Sequence, residues 1–265
     1  KEPFRNTLLA QGSATNNYGI YSMIKAVDSI RNSEQIIANS LSIPGVTNTT
    51  ITNKVISMCE DRKDLLGIID LEHGYTPITE GTVAVVGSVA AVGAFASSQR
   101  QSELWFAPAG FTRGGLNPLG GVGGPGVVNV DGTLTAKDRD KLYQININPI
   151  ASFPGEGIVV FGQKTLLKQP SAFDRINVRR TFLYLEKITK KTMQFFLFEN
   201  NTLFTRTRVI NTLKPFFERV KADDGLYDYM IVCDERNNTG EVIDQNELVV
   251  DIYLKPVRTA EFILV

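Results

Sequence analysis

Few residues in this chain have the types and spacing that chemistry needs. GVGGPG (121–126) has the G-x-G-x-x-G spacing that lets backbone approach a pyrophosphate. That use requires a strand before the motif and a helix N-terminus after it, where N–H groups meet the phosphate. Here Pro125 interrupts the motif, and a β-like run, VVNVDG, follows. FGQKT (161–165) has the lysine and threonine of a phosphate loop but lacks its first glycine and its G-K-[ST] spacing. His73, in LEHGY, is the one histidine. Alone it completes no metal cluster, and no G-x-S-x-G elbow accompanies it. Asp234 and Glu235 in CDERNNTGE are adjacent carboxylates at a strand end, where a glycosidase could hold its acids. The Asn-Asn-Thr that follows them favours a turn built from side-chain-to-backbone hydrogen bonds. Cys59 and Cys233 are too few for a disulfide framework or a zinc site and read as buried free thiols of a reducing compartment. No catalytic residue, cofactor or metal is implied.

Charge carries more information in its distribution than in its sum. Lys plus Arg and Asp plus Glu number 28 each, so the net charge is zero. Neither nucleic acid nor an anionic membrane is predicted as a partner. The apolar stretch TVAVVGSVAAVGAFASS is rich in small residues and shorter than the about 20 residues of a membrane span, so membrane insertion is not expected. Arg175, Arg179, Arg180, Lys187, Lys190 and Lys191 fall on one predicted helix and Lys214, Arg219 and Lys221 on the next. Acids gather later, at Asp234, Glu235, Glu241, Asp244, Glu247 and Asp251. Two solvated faces or two complementary docking patches would both look like this.

The elements that must position these groups follow from periodicity. Residues 18–31 place Ile20, Ile24, Val27 and Ile30 at helical spacing, and 50–64 do the same with Ile51, Val55, Met58 and Cys59. Pro44-Gly45 marks a turn, and LLGIIDLE reads as a short buried strand. This alternation is α/β grammar. LWFAPAGFTRGGL (104–116) begins like a strand and breaks at Pro108, Gly110, Gly114 and Gly115. Residues 113–135 are a glycine-dense loop. SAFD fits a capping box, with Ser171 as N-cap and Asp174 reaching back, ahead of the helix DRINVRRTFLYLEKITKK. QFFLFE predicts a strand. A helix through Val209, Leu213, Phe216 and Val220 follows, with Pro215 inside it and Gly225 as its stop. YDYMIVC, LVVDIYL and the closing EFILV predict strands.

Taken in order, SIPGVTN, LLGIIDLE, LWFAPAGFTRGGL, the NPI of ININPI, FPGEGIVVFGQKTL, FDRINVRRTFLYLEK, FLFENN, VCDERNN and DIYLKPVRTAEFILV resemble the contractile tail sheath proteins of bacteriophages. The resemblance covers nearly all of the chain after about Tyr18, and the path from Glu72 to Val83 is shorter than the family's. It implies an α/β fold: a mixed α+β sheath core, a mixed sheet flanked by helices, and an extended C-terminal strand arm. The corresponding parts are an N-terminal segment or linker at 1–17, core at 18–112, the loop at 113–135, conserved core at 136–255 and the arm strand at 256–265. A further N-terminal arm and outer domains would lie outside this stretch.

The resemblance also implies a mechanical, non-enzymatic role. Copies would stack as six-membered rings around a tail tube and contract, with baseplate and tail terminator proteins as further partners. The setting would be the virion tail, assembled in the host cytoplasm. Arms would join copies by adding a strand to a neighbour's sheet; Phe262, Ile263, Leu264 and Val265 are the expected exchanged strand. Lys187, Lys190, Lys191, Lys214, Arg219 and Lys221 are the expected tube-facing residues. In that setting LWFAPAGFTRGGL is a strand leading into a fixed-shape loop, anchored in the core by Trp105, Phe106 and Phe111. The rival readings are a type VI secretion or bacteriocin-like sheath, and, in a different class, an α/β enzyme.

Overall fold

The structure, a computed structural model, describes residues 18–71, 87–116, 130 and 134–261. The closing FILV, the GVGGPG motif and His73 lie outside the described residues. The chain divides into two compact units, Lys1–Leu183 and Tyr184–Val265.

In the first unit the two predicted amphipathic helices form α1 (Tyr18–Ser29) and α2 (Thr49–Arg62). Their apolar faces meet: Ile20 packs with Val46 and Ile51, and Val27 with Val55 and Met58. Asn48 caps α2 by accepting the Thr50 N–H, and Lys63 closes it in the left-handed region at φ 60°. Arg62 then ties the two helices' ends. Its guanidinium holds Asp64 at 2.8 Å and donates to the carbonyls of Ile30 and Ile36. Strands β1 (Ser40–Ser42) and β2 (Leu66–Ile68) flank α2 and pair in parallel. The expected buried strand in LLGIIDLE is thus only three residues long, and its middle residue, Gly67, is exposed; burial falls on Leu65 instead.

Helix α3 (Gly87–Gln101) has no strong apolar stripe, and periodicity does not announce it. Alanine favours helix intrinsically, and Asp70 secures the N-terminus from outside the helix. One Asp70 carboxylate oxygen accepts the Ser88 N–H at 2.7 Å, and the other accepts the Ser88 hydroxyl at 2.7 Å and the Gly45 N–H at 2.9 Å. A carboxylate there also complements the helix dipole. The small Ala90 and Ala94 allow close packing on Leu116, Ile158 and Val160.

LWFAPAGFTRGGL departs from expectation at its start. Leu104 and Trp105 are buried, but in turns rather than a strand, and Phe111 is 51% exposed instead of sitting in the core. A one-turn helix, α4 (Gly110–Arg113), follows; its single turn leaves Phe111 outside, where its ring meets Phe153 edge to face and Phe161 at a tilt. Arg113 closes the loop by donating to the Ala107 carbonyl at 3.0 Å with its guanidinium over the Phe106 ring. The Gly-Gly step then pairs with strand β4 (Gly157–Val160): Val160 N–H donates to Gly114 and Leu116 N–H to Ile158, each at 2.8 Å. β4 is antiparallel to β3 (Ile150–Phe153). The turn between them is shaped by Gly155 and Gly157, at φ 82° and 81°, which a Cβ would resist.

Helix α5 (Ala136–Gln144) carries a capping box that the sequence reading did not mark: Thr135 and Asp138 satisfy each other's backbone N–H. The box expected at SAFD does not form. Ser171 accepts the Phe173 N–H over a single 3-10 turn, while Asp174 turns to Arg175 at 3.1 Å. The long helix α6 (Ile176–Met193) begins after that turn.

In the second unit QFFLFE is not a strand. A 3-10 turn at Gln194–Phe196 extends α6, and Thr202 already caps α7 (Leu203–Ala222) by accepting the Thr205 N–H. Too little chain remains between two helices to find a strand partner, whatever its β propensity. α7 continues through Pro215, and its left-handed stop is Asp224 (φ 61°), one residue before the expected Gly225. Strands β5 (Leu226–Val232) and β6 (Asp251–Pro256) form an antiparallel pair, with the short helix α8 (Gly240–Asp244) between them. The inner face of the pair lies on α7, where Phe217 is fully buried and stacks on Tyr229. Among the described residues the sheets are these three two-stranded pairs, a mixed α/β arrangement.

Candidate assembly surfaces

The groups that might have done chemistry serve the fold. Asp234 is held by Arg236, whose guanidinium donates to both carboxylate oxygens at 2.7–3.1 Å and keeps the carboxyl below its ordinary range. A carboxyl so ionised is no proton donor at neutral pH. Lys164 of FGQKT is clasped by Asn148, which accepts its N–H at 2.7 Å and donates to its carbonyl at 2.8 Å, while its ammonium is spent on the Tyr143 carbonyl at 2.7 Å. Cys59 is half-buried, and burial pushes its thiol up to about 11; Cys233 is buried and raised for the same reason. Among the described residues no group of three His, Cys, Asp or Glu could hold a metal, and no helix is long and apolar enough to cross a membrane.

The Asn-rich turn is instead the keystone of the second unit. Asn238, 2% exposed, donates to the Val249 carbonyl at 2.9 Å and accepts the Val249 N–H at 2.9 Å. Asn237 donates to the Val232 carbonyl at 2.8 Å and accepts the Asp234 N–H at 3.0 Å. Asn201 reaches across from the start of α7, donating to the Glu247 carbonyl at 2.7 Å and accepting from the buried Arg206 at 2.7 Å. Three segments with no regular pairing of their own are thereby locked to one end of the β5–β6 pair.

The basic residues separate into sets. Arg175, Arg179 and Arg180 are engaged within the first unit: Arg175 with Asp174, Arg179 over Phe173, and Arg180 over Phe95 with burial lowering it to about 10. Lys187, Lys190 and Lys191, at i, i+3 and i+4 on α6, share one face. Lys187 is half-buried, Lys191 is exposed, and Lys190 is 67% exposed with Glu186 at 2.8 Å. On α7, Lys214 and Lys221 are seven residues apart and line one side of a shallow groove with Glu218, Asp228 and Tyr229. Arg219 sits two positions from Lys221, so it points elsewhere, toward Asp223 at 3.6 Å. Lys221 donates to Asp228 at 2.8 Å, and Tyr229 donates to Glu218 at 2.8 Å; burial and that carboxylate push the phenol up to about 12.

These pairs set a pH response. Asp28, Asp138, Asp228 and Asp234 accept hydrogen bonds from Lys54, Thr135, Lys221 and Arg236, and each is lowered from its ordinary value. A lowered folded pKa contributes stability that is present above the unfolded value of about 4 and is lost as pH falls through the folded value. Urea midpoints should therefore stay level from neutral pH to about 5 and drop below about 4. A midpoint that held steady down to about pH 3 would contradict this assignment.

A feature the sequence reading missed is the aromatic connection between α6 and α7. Phe195, Leu197, Phe198, Leu203 and Phe204 are each 65% or more exposed. The apolar residues stand together in QFFLFENNTLF, whose first part has the composition of a strand.

Comparison with known proteins agrees with these elements. Residues 168–265 match the phage tail sheath C-terminal domain family. The chain is 41% identical over 181 residues, 68% of its length, to the tail sheath protein of Vibrio phage KVP40, and 37% identical over 171 residues, 64% of its length, to that of Enterobacteria phage T4. It spans about a quarter of the length of these relatives, 26% and 25%. Among solved structures, it is similar to a chain of the six-fold symmetrised baseplate of the anti-feeding prophage (TM-score 0.77, 22% identity, 96% of this chain and 73% of that one). It is likewise similar to a chain of the sheath of an extracellular contractile injection system in its contracted state (TM-score 0.72, 22% identity, 90% and 73%).

Proposed function

The chain belongs to the contractile phage tail sheath proteins, and from that premise we propose that it is a structural subunit of a contractile tail, polymerising as six-membered rings around a tube. The observation that carries the reading is the 41% identity to a tail sheath protein across two-thirds of the chain. Rings of six accord with the six-fold symmetry of the baseplate assembly that holds a similar chain. The extended polymer is metastable. Contraction moves rigid cores outward into a state with more contacts and drives the tube through the host envelope. The work is stored at assembly, so the subunit is no enzyme and needs no cofactor. Baseplate and tail terminator proteins bound the polymer at its ends, and the assembled particle is a virion tail built in the host cytoplasm.

Copies are joined by strands. The β5–β6 pair has two open edges among the described residues, and an open edge presents backbone N–H and C=O groups that a further strand can pair with. Residues Phe262–Val265 of a neighbour would add to such an edge through main-chain hydrogen bonds. Deleting them from the full-length protein should leave folded subunits that form no connected tubes in electron micrographs. Joined, contracting tubes from the deletion variant would end the proposal.

The tube is assigned to the basic faces. Lys187, Lys190 and Lys191 offer the concentrated patch; Lys214 and Lys221 offer a second, partly neutralised by Asp228. Arg219 belongs to neither face. Exposed ion pairs are worth about 1 kcal/mol or less and exchange readily for new partners, so the acids beside these lysines do not disqualify them. Reversing Lys187, Lys190 and Lys191 to glutamate should weaken co-sedimentation with tube at least about tenfold and flatten its salt dependence. Unchanged docking would remove these residues from the contact.

The fold likenesses are to sheaths and baseplates of injection systems, which keeps a bacteriocin-like or secretion sheath as the second reading; the higher identities are to phages.

A further inference from the structure

We propose that the aromatic connection between α6 and α7 is a knob by which one copy of the chain docks on the outer face of the β5–β6 pair of a second copy. The choice of a second copy as occupant rests on the sheath reading; the knob and the face stand on geometry.

Phe198 is 105% exposed and its backbone is left-handed, at φ 67°. Such a φ is costly for a bulky residue, and exposing a phenyl ring forgoes its burial free energy. Both costs fall on one side chain, and hydrogen bonds hold it in place. Thr202 caps α7 just beyond it, and the Glu199 N–H donates to the Phe196 carbonyl at 3.3 Å. Phe196 itself is buried beneath Arg208, whose guanidinium lies 5.2 Å from the ring. With Phe195, Leu197, Leu203 and Phe204 the knob presents on the order of 600 Å² of apolar surface, at the upper end for a whole monomer's largest patch. That approaches the roughly 800 Å² per partner of a standard protein interface.

The occupant follows from what else the chain exposes. Met230 and Tyr253 face each other across the β5–β6 register and are 54% and 57% exposed, with Tyr227, also 57% exposed, beside them. This face looks away from α7, because Tyr229, on the opposite face, stacks on Phe217. The knob lies at the N-terminal end of α7, so it does not fold back onto that face. One patch is a protruding loop and the other a flat two-stranded surface. A patch that fits an unlike patch makes a head-to-tail contact, which builds a ring or a helical filament instead of a two-fold pair. The acidic groups sought by the lysine faces would find no counterpart here: Glu199, the knob's charged residue, lies 3.7 Å from Arg208.

Sedimentation velocity on the 265-residue chain and three variants tests this. The unmodified chain should form heavier species as concentration rises. Phe204→Glu, on the knob, and Met230→Glu, on the face, should each sediment as single chains. Mixed together they should give one discrete two-chain species, since each retains the surface the other lost. Phe198→Gly should hold or raise the thermal midpoint by relieving the left-handed strain, while weakening association at least about tenfold. An unmodified chain that stays single, variants that assemble as it does, or a mixture without the two-chain species would each overturn the proposal. So would a Phe198→Gly chain that loses stability yet associates normally. If full-length variants at Phe204 and Met230 still form tubes and only loss of 262–265 prevents them, the knob is refuted and the sheath reading stands.

Discussion

Asn238→Ala is expected to destabilise the C-terminal unit by about 3–5 kcal/mol, enough to unfold it at mild denaturant concentrations. The side chain is 2% exposed, and its bonds to Val249 are those of a missing strand neighbour: one donated, one accepted, both at 2.9 Å. Alanine leaves that N–H and that C=O buried and unpaired, at about 1–3 kcal/mol each, and opens a small cavity. Asn238 also donates to Asn237 at 2.9 Å and lies 3.3 Å from Asn201, so its loss loosens the two side chains that pin Val232 and Glu247. Asn238→Asp separates donor from acceptor. The carboxylate can still accept from Val249 N–H, but it faces the Val249 carbonyl and the Asn237 amide oxygen that the lost NH₂ served. Burial with one oxygen facing two acceptors raises the folded pKa of such a group. Its penalty is therefore present above the folded pKa and vanishes once pH falls below the unfolded value of about 4. Urea unfolding of the aspartate variant should show stability recovering toward acid, opposite in sign to the parent chain. An alanine variant within about 0.5 kcal/mol of the parent would show that the network is decorative.

How much of this could be read from the sequence depends on where each element's determinants lie. α1, α2 and α6 carry their own apolar faces, so spacing alone locates them. α3 does not: its residues are small, and its N-terminal cap, Asp70, lies 18 residues away across residues outside the description. No local window contains that information. Thr135–Asp138 and Ser171–Asp174 have the same spacing in sequence, yet only the first closes a capping box, because Asp174 finds Arg175 instead. QFFLFE shows the reverse failure. Its composition is that of a strand, yet strand pairing is a tertiary property, and a cap at Thr202 leaves no room for it. The lysine faces were half legible. Spacing puts Lys187, Lys190 and Lys191 together and sets Arg219 apart from Lys214 and Lys221, and that arithmetic needed no coordinates. What spacing could not supply was the acid opposite Lys221, since Asp228 comes from β5.

Gly114→Ala is expected to cost the first unit about 3 kcal/mol, while Gly115→Ala, one residue on, changes stability by less than about 0.5 kcal/mol. The two glycines look equivalent in TRGGL. In the fold, a Cβ on Gly114 would stand 2.6 Å from the Val160 carbonyl oxygen, 2.8 Å from the Gly110 nitrogen and 2.9 Å from the Ala109 carbonyl carbon, whereas one on Gly115 meets nothing within 4 Å. All three of these nearest atoms are backbone, so no side chain can swing aside to relieve them. Either the loop 109–114 or strand β4 must move. Moving β4 stretches the 2.8 Å bond from Val160 N–H to the Gly114 carbonyl and disturbs Ile158 and Val160 where they meet Ala90 and Ala94. Gly114 has an ordinary φ of −94°, so the requirement is for space and not for conformational freedom. Ala at both positions is a matched pair in composition and chain entropy, which makes the difference between them a direct reading of that contact. Equal thermal midpoints for the two variants would mean that the loop does not lie against β4. The rigid joint through which α4 meets the hairpin would then have to be given up.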